Sequence, residues 1–544
     1  MELHNQLFKS IIAWVYKKLW STIAYALTFT FILLSLHASN QTIYIQGVQS
    51  GNLLADTIIL TGPVNVLSDT QLQINPGSFV MSTGYFGFTI NGSLIVEGTF
   101  EDPVVFTIAD TNGFSNLNDI RGGWNGFEFT GDNSGTDSSV FVNCIFTYAK
   151  ASGDSLNSFG GVFCIKNYNH LLIDSCHFEN NSAKHWGGAV YADSSNIKIR
   201  HCIFTRNFCG LPLPPYGYGG AVCIRHSEPE IFNCHFRLNR STGIGGALAL
   251  EYADAKLSVS VFESNFSALG GALGYLRSTP QYPVNNCFFN GNSALYFGGA
   301  ISCNRSNPVF LNTTIADNYC QSYGGGFYCN DSAAPVLINT IIYGNQAAEG
   351  TQVYIWDNLS SPSFYYCNVQ DGIQGFGGTG GIGFNSPYMN CIDSIPLFAI
   401  TGEWPYEITE NSPCVDAGNP DTTYQYLMPF DLAGNARISG QAIDIGAFEF
   451  SDGLNALPGL RTLPSLSCCY FKTNHSIYVF SPENAGKKLN IRFIDICGQT
   501  MQHLTIRIDD TGIATIPAPN KRGVLIIAAE TEGQQFVAKL LLNE

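Results

Sequence analysis

Four ionisable side chains recur at one place in a repeated unit. Six residues after the first glycine of successive Gly-Gly pairs stand Lys166, Asp193, Arg225 and Glu251, and the next three such positions hold Leu276, Asn304 and Asn330. Taking a proton from beside a uronate carboxylate needs a base, and a cation to hold the charge that develops. Under that chemistry Lys166 or Arg225 is the candidate catalytic base or clamp, and Asp193 and Glu251 are the candidate ligand-binding acids that would hold a calcium ion. Hydrolysis of a glycosidic bond needs two facing carboxylates instead. The same alternation of sign also makes a surface ion-pair ladder, because it keeps like charges off neighbouring strands. Each exposed pair then contributes only about 0–1 kcal/mol. Beyond these candidates the catalytic residues are unknown.

Other groups suggest less chemistry. Cys144, Cys176, Cys202, Cys234 and Cys287 each precede an aromatic by two residues, and no C-x-x-C pair is present. Their spacing reads as a row of buried small apolar side chains; the count of 17 cysteines is odd, so one thiol at least stays unpaired within the chain. His177 and His235 fall two repeats apart, about 10 Å at the strand spacing, too far to share a metal ion. No metal site is expected. Asp416, Asp431, Asp444 and Glu449 sit among turn residues and read as turn and cap groups rather than a calcium site.

The elements that position these residues repeat. Glycine pairs begin at Gly160, Gly187, Gly219, Gly245, Gly270, Gly298 and Gly324, at intervals of 27, 32, 26, 25, 28 and 26 residues, the longest holding a proline-rich insert at 211–216. Ahead of the last six pairs stands Phe or Ile with Asn three places on: Asn181, Asn207, Asn239, Asn265, Asn292 and Asn318. A fixed period of this size marks a solenoid. Within one unit, short runs such as CHF, AVYA and IKI alternate with period two, so the repeat is of strands rather than helices. Three strands and three turns make one coil, and stacked coils put equivalent positions above one another about 4.8 Å apart. Gly187 and Gly188 would then form a turn that a Cβ forbids. The recurring Asn is expected to take the left-handed region and to bond its amide to the same amide one coil away. The fold class that follows is all-β: a right-handed parallel β-helix, a three-sided solenoid, followed by a small C-terminal β-sandwich.

Resemblances sharpen this reading. The unit F-x-x-N…GGA, clearest in FFNGNSALYFGGAI, resembles the repeat of the polymorphic outer-membrane protein family over 144–345. Residues 40–143, with LQINPGSFVM, INGSLIVEGTFEDPVVFT and GGWNGFEF, look like the opening coils of secreted bacterial β-helix proteins. In 346–450, SPCVDAGNP and DLAGNARISGQAIDIGAFEF resemble the closing segment of the same group, which implies closing coils and a terminal cap. A linker at 451–469 leads to 470–544, where the strand series and Asp495, Gly498, Gly523 and Lys539 are similar to the type IX secretion sorting domain of the Bacteroidetes, although the tail ends LLLNE where a basic finish is usual. That resemblance implies the type IX secretion machinery as a partner; a small binding module is the other reading. Neither the NxD, DD and G-H-G series of polygalacturonase-like hydrolases nor an Arg-rich pectate lyase signature is visible.

Export is expected from the N-terminus as well. Lys9, Lys17 and Lys18 precede an apolar run at 23–36 and the small residues Ala38 and Ser39, the pattern of a signal peptide over 1–39. The run is shorter than the roughly 20 residues of a spanning helix. A net charge of −16 with 12% charged residues argues against nucleic acid, which needs basic grooves. Two function classes follow for a protein placed outside the cell or on its outer surface. One is a non-catalytic scaffold for adhesion or for binding a polysaccharide or cell-surface glycan. The other is a polysaccharide lyase or glycoside hydrolase acting on acidic polysaccharide; no cofactor is expected except calcium under the lyase reading. A capped rod needs no second copy, so a monomer is expected.

Overall fold

The computed structural model describes residues 41–451 apart from 132–137, 153–157, 215, 401–403 and 424–425, and then 467–471, 476–480, 486–495, 500–508, 513–517, 523–531 and 534–542. The expected signal peptide, most of the linker and Gly498 lie outside the described residues.

From residue 42 to residue 389 the chain winds into a right-handed parallel β-helix, with the hand that strand-to-strand crossovers take. Three parallel sheets of 23, 13 and 7 strands run along it. One middle coil shows how sequence makes a turn of the solenoid. Val190–Asp193 follows the Gly187-Gly188 pair, Lys198–Arg200 follows a polar turn, Ile203–Thr205 carries Phe204, and Phe208–Cys209 follows Asn207. The next coil repeats this in register, with Val190 beside Val222, Ile199 beside Ile231, Phe204 beside Phe236 and Phe208 beside Arg240. The three-sided solenoid thus carries one strand per coil beyond the three read from sequence, the two-residue strand after the asparagine.

Inward residues fill the rod in stacks. Phe146, Phe178, Phe204, Phe236, Phe262 and Phe289 lie ring upon ring with centroids 4.6–4.9 Å apart, all fully enclosed. Beside them Cys144, Cys176, Cys202, Cys234 and Cys287 stand buried and unpaired, with Ser260 breaking the row between the last two. Cys176 donates its S–H to the Asp174 carbonyl at 3.1 Å. Ile203 lies between His177 and His235 in the outward column.

Corners are made by left-handed residues, but not by the asparagines that were expected to supply them. Positive φ falls on the residue before each ladder asparagine: Asn180, Arg206, Leu238, Ser264, Gly291 and Asp317. The asparagine itself is free to point inward, where its amide is wanted. Of each glycine pair only the first has positive φ, 64° at Gly187. The second is glycine for space: a Cβ on Gly188 would run into the carbonyl oxygen of Gly220 on the next coil.

The expected terminal cap divides into two pieces. The end of the rod is closed by a turn at Gly372–Gly375, a short helix at Gly378–Ile382 and the rings of Phe376, Phe384 and Tyr388 packed around Phe364. The segment 396–450 instead runs back along the flank. Leu432, Ala447 and Phe448 pack on Phe232, Val259 and Phe288, and Ile408, Cys414 and Ile445 pack on Ile341. Asn285 and Asn286 donate to the carbonyls of Tyr426 and Phe430 across this seam, and Gly446 N–H donates to Asn339 O. The acids of the segment hold it together. Asp431 accepts from Asn435 and Glu449 N–H, Asp444 from Asp416 and Phe450 N–H, Asp416 from Ala442 N–H, and the fully enclosed Glu449 pairs with Arg437 at 2.9 Å.

Beyond the linker two antiparallel sheets form the small β-sandwich. One orders Ser467–Phe471, Ser476–Phe480 and Ile513–Pro517; the other orders Thr500–Arg507, Lys488–Asp495, Gly523–Thr531 and Gln534–Leu542. Val479, Leu489, Ile491, Phe493 and Ile516 are buried in it. Asp495 ends a strand of the second sheet, and Gly523 and Lys539 lie in its last two strands, with Ile526 beside Lys539.

Candidate functional site

The charged residues form the column that their spacing predicts. Lys166 lies beside Asp193, Asp193 beside Arg225, Arg225 beside Glu251, and Leu276, Asn304 and Asn330 continue the register. Each ends a strand that follows a glycine pair, and each points outward because the period of two places its neighbours Ile165, Ala192, Ile224 and Leu250 in the core.

Asp193, Arg225 and Glu251 form an ion-pair ladder. Arg225 Nε donates to Glu251 Oε2 at 2.7 Å, its Nη1 stands 3.8 Å from Asp193 Oδ2, and its guanidinium lies 4.5 Å from the centre of the Trp186 ring. Asp193 also meets His226 Nδ1 at 2.9 Å and accepts from Tyr191 Oη at 3.1 Å. Glu251 Oε1 faces Arg277 Nη1 at 3.6 Å. Lys166 holds its ammonium 5.5 Å from the centre of the Phe159 ring. Burial works against the Arg225 charge, but the Tyr191 hydrogen bond and Glu251 more than offset it and hold the guanidinium above its ordinary pKa. Burial also pushes Asp193 up, yet the hydrogen bonds from His226 and Tyr191 and the charge on Arg225 bring it below the usual carboxylate range.

A guanidinium so held stays charged and accepts no proton. It also fills the space between Asp193 and Glu251 in which a calcium ion would have to sit, so these two acids do not fit that cation. Among the described residues no group of three or more His, Cys, Asp or Glu side chains is arranged to hold a metal.

The same column continues one coil beyond the sequence reading and changes character there. Cys329 pairs with Ile355, which puts Trp356 beside Asn330. Trp356 is 46% exposed and lies within 5.7–6.5 Å, centre to centre, of Phe297, Tyr323, Tyr328 and Tyr354. Tyr296, 55% exposed, flanks Phe297. Phe297 and Tyr323 come from the position just before a glycine pair, and Tyr328 and Tyr354 from the first outward position of the strand after it. Alongside, Asn304 donates its amide to Asn330 Oδ1 at 3.0 Å. The result is a platform of rings edged by amides, at the end of a column that begins with charges. The signal for it was Gly350, 26 residues after Gly324 and six before Trp356, hidden because threonine replaces its second glycine.

The inward asparagines form an unbroken amide ladder. Asn181, Asn207, Asn239, Asn265, Asn292 and Asn318 each donate Nδ2 to the Oδ1 of the next, at 2.9–3.0 Å, ending on Asn345. Gln352 then closes the row by accepting from Asn345 Nδ2 at 2.7 Å, and is itself held by Gln370. Neither glutamine was singled out from sequence.

Residues 103–289 match a family model described as a right handed beta helix region. A stretch of 170 residues, 31% of this chain, is 31% identical to metabotropic glutamate receptor-like protein R of Dictyostelium discoideum, of which it spans 10%. A stretch of 210 residues, 34% of this chain, is 28% identical to the probable autotransporter YfaL of Escherichia coli strain K12, of which it spans 16%. These similarities therefore cover a small part of either relative.

Proposed function

We propose that this chain is an exported surface scaffold whose β-helix binds glycan chains on its aromatic platform without cleaving them. The observation that carries the reading is the cluster of exposed Trp356 and Tyr296 with half-buried Phe297 and Tyr323, beside the Asn304–Asn330 amide pair. Ring faces offer apolar area to the C–H faces of sugars, and fixed amides offer donors and acceptors to hydroxyls. One relative is named an autotransporter and another a receptor-like protein, which supports a place outside the cell or on its surface. In this reading the N-terminal segment is a cleaved signal peptide, the repeats are of the polymorphic outer-membrane protein kind, and the C-terminal sandwich is an address read by the type IX secretion machinery. The rod acts as a monomer.

The test is retention of the full-length protein on a panel of neutral and acidic polysaccharides. Replacing Trp356→Ala together with Tyr296→Ala should lower retention by about tenfold or more, the equivalent of roughly 1.4 kcal/mol, with the β-sheet circular dichroism unchanged. Equal retention by wild type and variant would sink the assignment. Release of unsaturated sugar products in calcium, abolished in a Lys166→Ala/Arg225→Ala protein, would replace it with the lyase reading.

A further inference from the structure

The row of thiols ends differently from the way it begins. Cys176, Cys202 and Cys234 are wholly enclosed, and burial pushes their thiols well above the usual range, so they stay protonated and inert. At the far end Cys367 and Cys391 occupy the same column one coil apart. Tyr365 pairs with Met389 and Asn368 bridges to Ile392, so the two cysteines between them stand in register. Cys391 Sγ accepts the backbone N–H of Cys367 at 3.5 Å, and the two side chains touch. Cys391 is also only half-buried, where the other cysteines from Cys144 to Cys414 are buried. Its thiol is held below the ordinary range, chiefly by the hydrogen bond from the Cys367 thiol and against the effect of burial.

We propose that Cys367 and Cys391 are a disulfide-forming pair that staples the last coil of the β-helix to the coil beneath it when the chain meets a low-molecular-weight disulfide. Strands one coil apart lie about 4.7–4.9 Å from each other, within the roughly 4.4–6.8 Å between Cα atoms that a disulfide spans. The Cys391 thiolate attacks one sulfur of the oxidant, forming a mixed disulfide and releasing one small thiol, which takes up the proton Cys391 lost. Cys367 then gives up its proton and attacks the Cys391 sulfur, and the second small thiol leaves with that proton. Two protein thiols are oxidised and one small disulfide is reduced to two thiols.

The staple closes a loop that contains the Gly372–Gly375 turn, the Gly378–Ile382 helix and the rings that plug the rod. It also fixes the start of the flank segment, because Asn368 Nδ2, next to Cys367, donates to Ser394 O and to Cys414 Sγ. The stacked thiols at 144–234 share the register but not the access.

Reduced full-length protein is incubated with oxidised glutathione, alkylated without denaturant, digested and read by mass spectrometry. The expected result is a Cys367–Cys391 linked peptide lighter by two hydrogens and reversed by dithiothreitol, while Cys176, Cys202 and Cys234 become alkylated only after unfolding. The oxidised wild type should melt at a higher temperature than the reduced, a difference that Cys391→Ser removes. Stable glutathionylation of Cys391 without the internal link, or a link from Cys391 to Cys414, would overturn the proposal. Both outcomes are read on the wild type, so they do not depend on the folding of the variant.

Discussion

Asn265 lies in the middle of the amide ladder, and cutting its side chain back to alanine tests whether the ladder holds the rod together. Its Oδ1 accepts from the backbone N–H of Asn239 at 3.0 Å and from Asn239 Nδ2 at 3.0 Å; its Nδ2 donates to Phe236 O at 2.9 Å and to Asn292 Oδ1 at 2.9 Å. Asn265→Ala removes all four bonds at a position with no exposure. Asn239 keeps one amide bond, to Phe204 O, and Asn292 Oδ1 keeps the Asn265 backbone N–H. Two buried donors are left bare: the Asn239 backbone N–H and one hydrogen of its amide. An orphaned buried polar group costs about 1–3 kcal/mol, so the expected loss is about 2–6 kcal/mol. It is smaller if a water enters the vacated space.

Urea unfolding followed by circular dichroism measures the loss globally, and hydrogen exchange at the Asn239 amide measures it at the orphan itself. The double variant Asn239→Ala/Asn265→Ala gives a second check. One of the four bonds of Asn265 is to the Asn239 side chain, whose orphaned amide hydrogen is removed with it in the double variant, so the pair should cost less than the sum of the single changes by about 1–2 kcal/mol. A single-variant loss below about 1 kcal/mol, or strict additivity in the cycle, would refute the claim that the ladder is a cooperative support.

Two further outcomes are expected. Asp444, its carboxyl pushed up from 3.8 to about 6 by burial, binds its proton more tightly in the closed flank segment than when exposed; the closed state is therefore most stable below pH 4 and loses stability as pH rises through about 6. The shift of about two units corresponds to about 3 kcal/mol, and burial shifts Asp431 and Glu449 in the same direction. Hydrogen exchange at the Phe450 amide, which donates to Asp444 Oδ2, should show protection falling between about pH 4 and 6 after correction for intrinsic rates. Constant protection would contradict it, and the reading has to be local because burial disfavours the charged forms of His177 and His185, which moves global stability the opposite way. Arg225→Ala leaves Glu251, a side chain 10% exposed, without its shortest ion pair; a destabilisation of about 1–3 kcal/mol in urea is expected, and a change within error would show that Arg277 alone suffices.

The column Lys166–Asp193–Arg225–Glu251 and the asparagine ladder were legible because stacking turns a period in sequence directly into adjacency in space. Features that break the period were not. Trp356 was missed because Gly350-Thr351 replaces a glycine pair, and Gln352 and Gln370 because they close the ladder with a different side chain. The left-handed corners were assigned one residue late: an asparagine tolerates that region, but Arg206, Leu238 and Asp317 occupy it here, since the asparagine amide is needed inside. The flank segment was misplaced for a different reason. Its seam joins Asn285 to Tyr426, 141 positions apart, and nothing in local spacing records a contact of that range.

That seam bears on where a long ligand can lie. The flank segment covers Val259, at the corner before the phenylalanine strands, and Phe288, Thr314 and Ile341, outward positions that begin such strands. The apolar side chains it hides are ones that the preceding coils leave partly open, as at Ile203, 44% exposed. It leaves uncovered the outward column of the strands that follow the glycine pairs. On that column Asp193, Arg225 and Glu251 present charges already paired with one another, which a ligand must separate before it can bind. From Asn304 to Trp356 the column presents amides and rings whose faces are not all used within the fold. Under the proposed glycan-binding function, a glycan chain lying along the rod gains most at the end nearest Trp356, and Arg225 or Glu251 variants that remain folded should bind it as the wild type does.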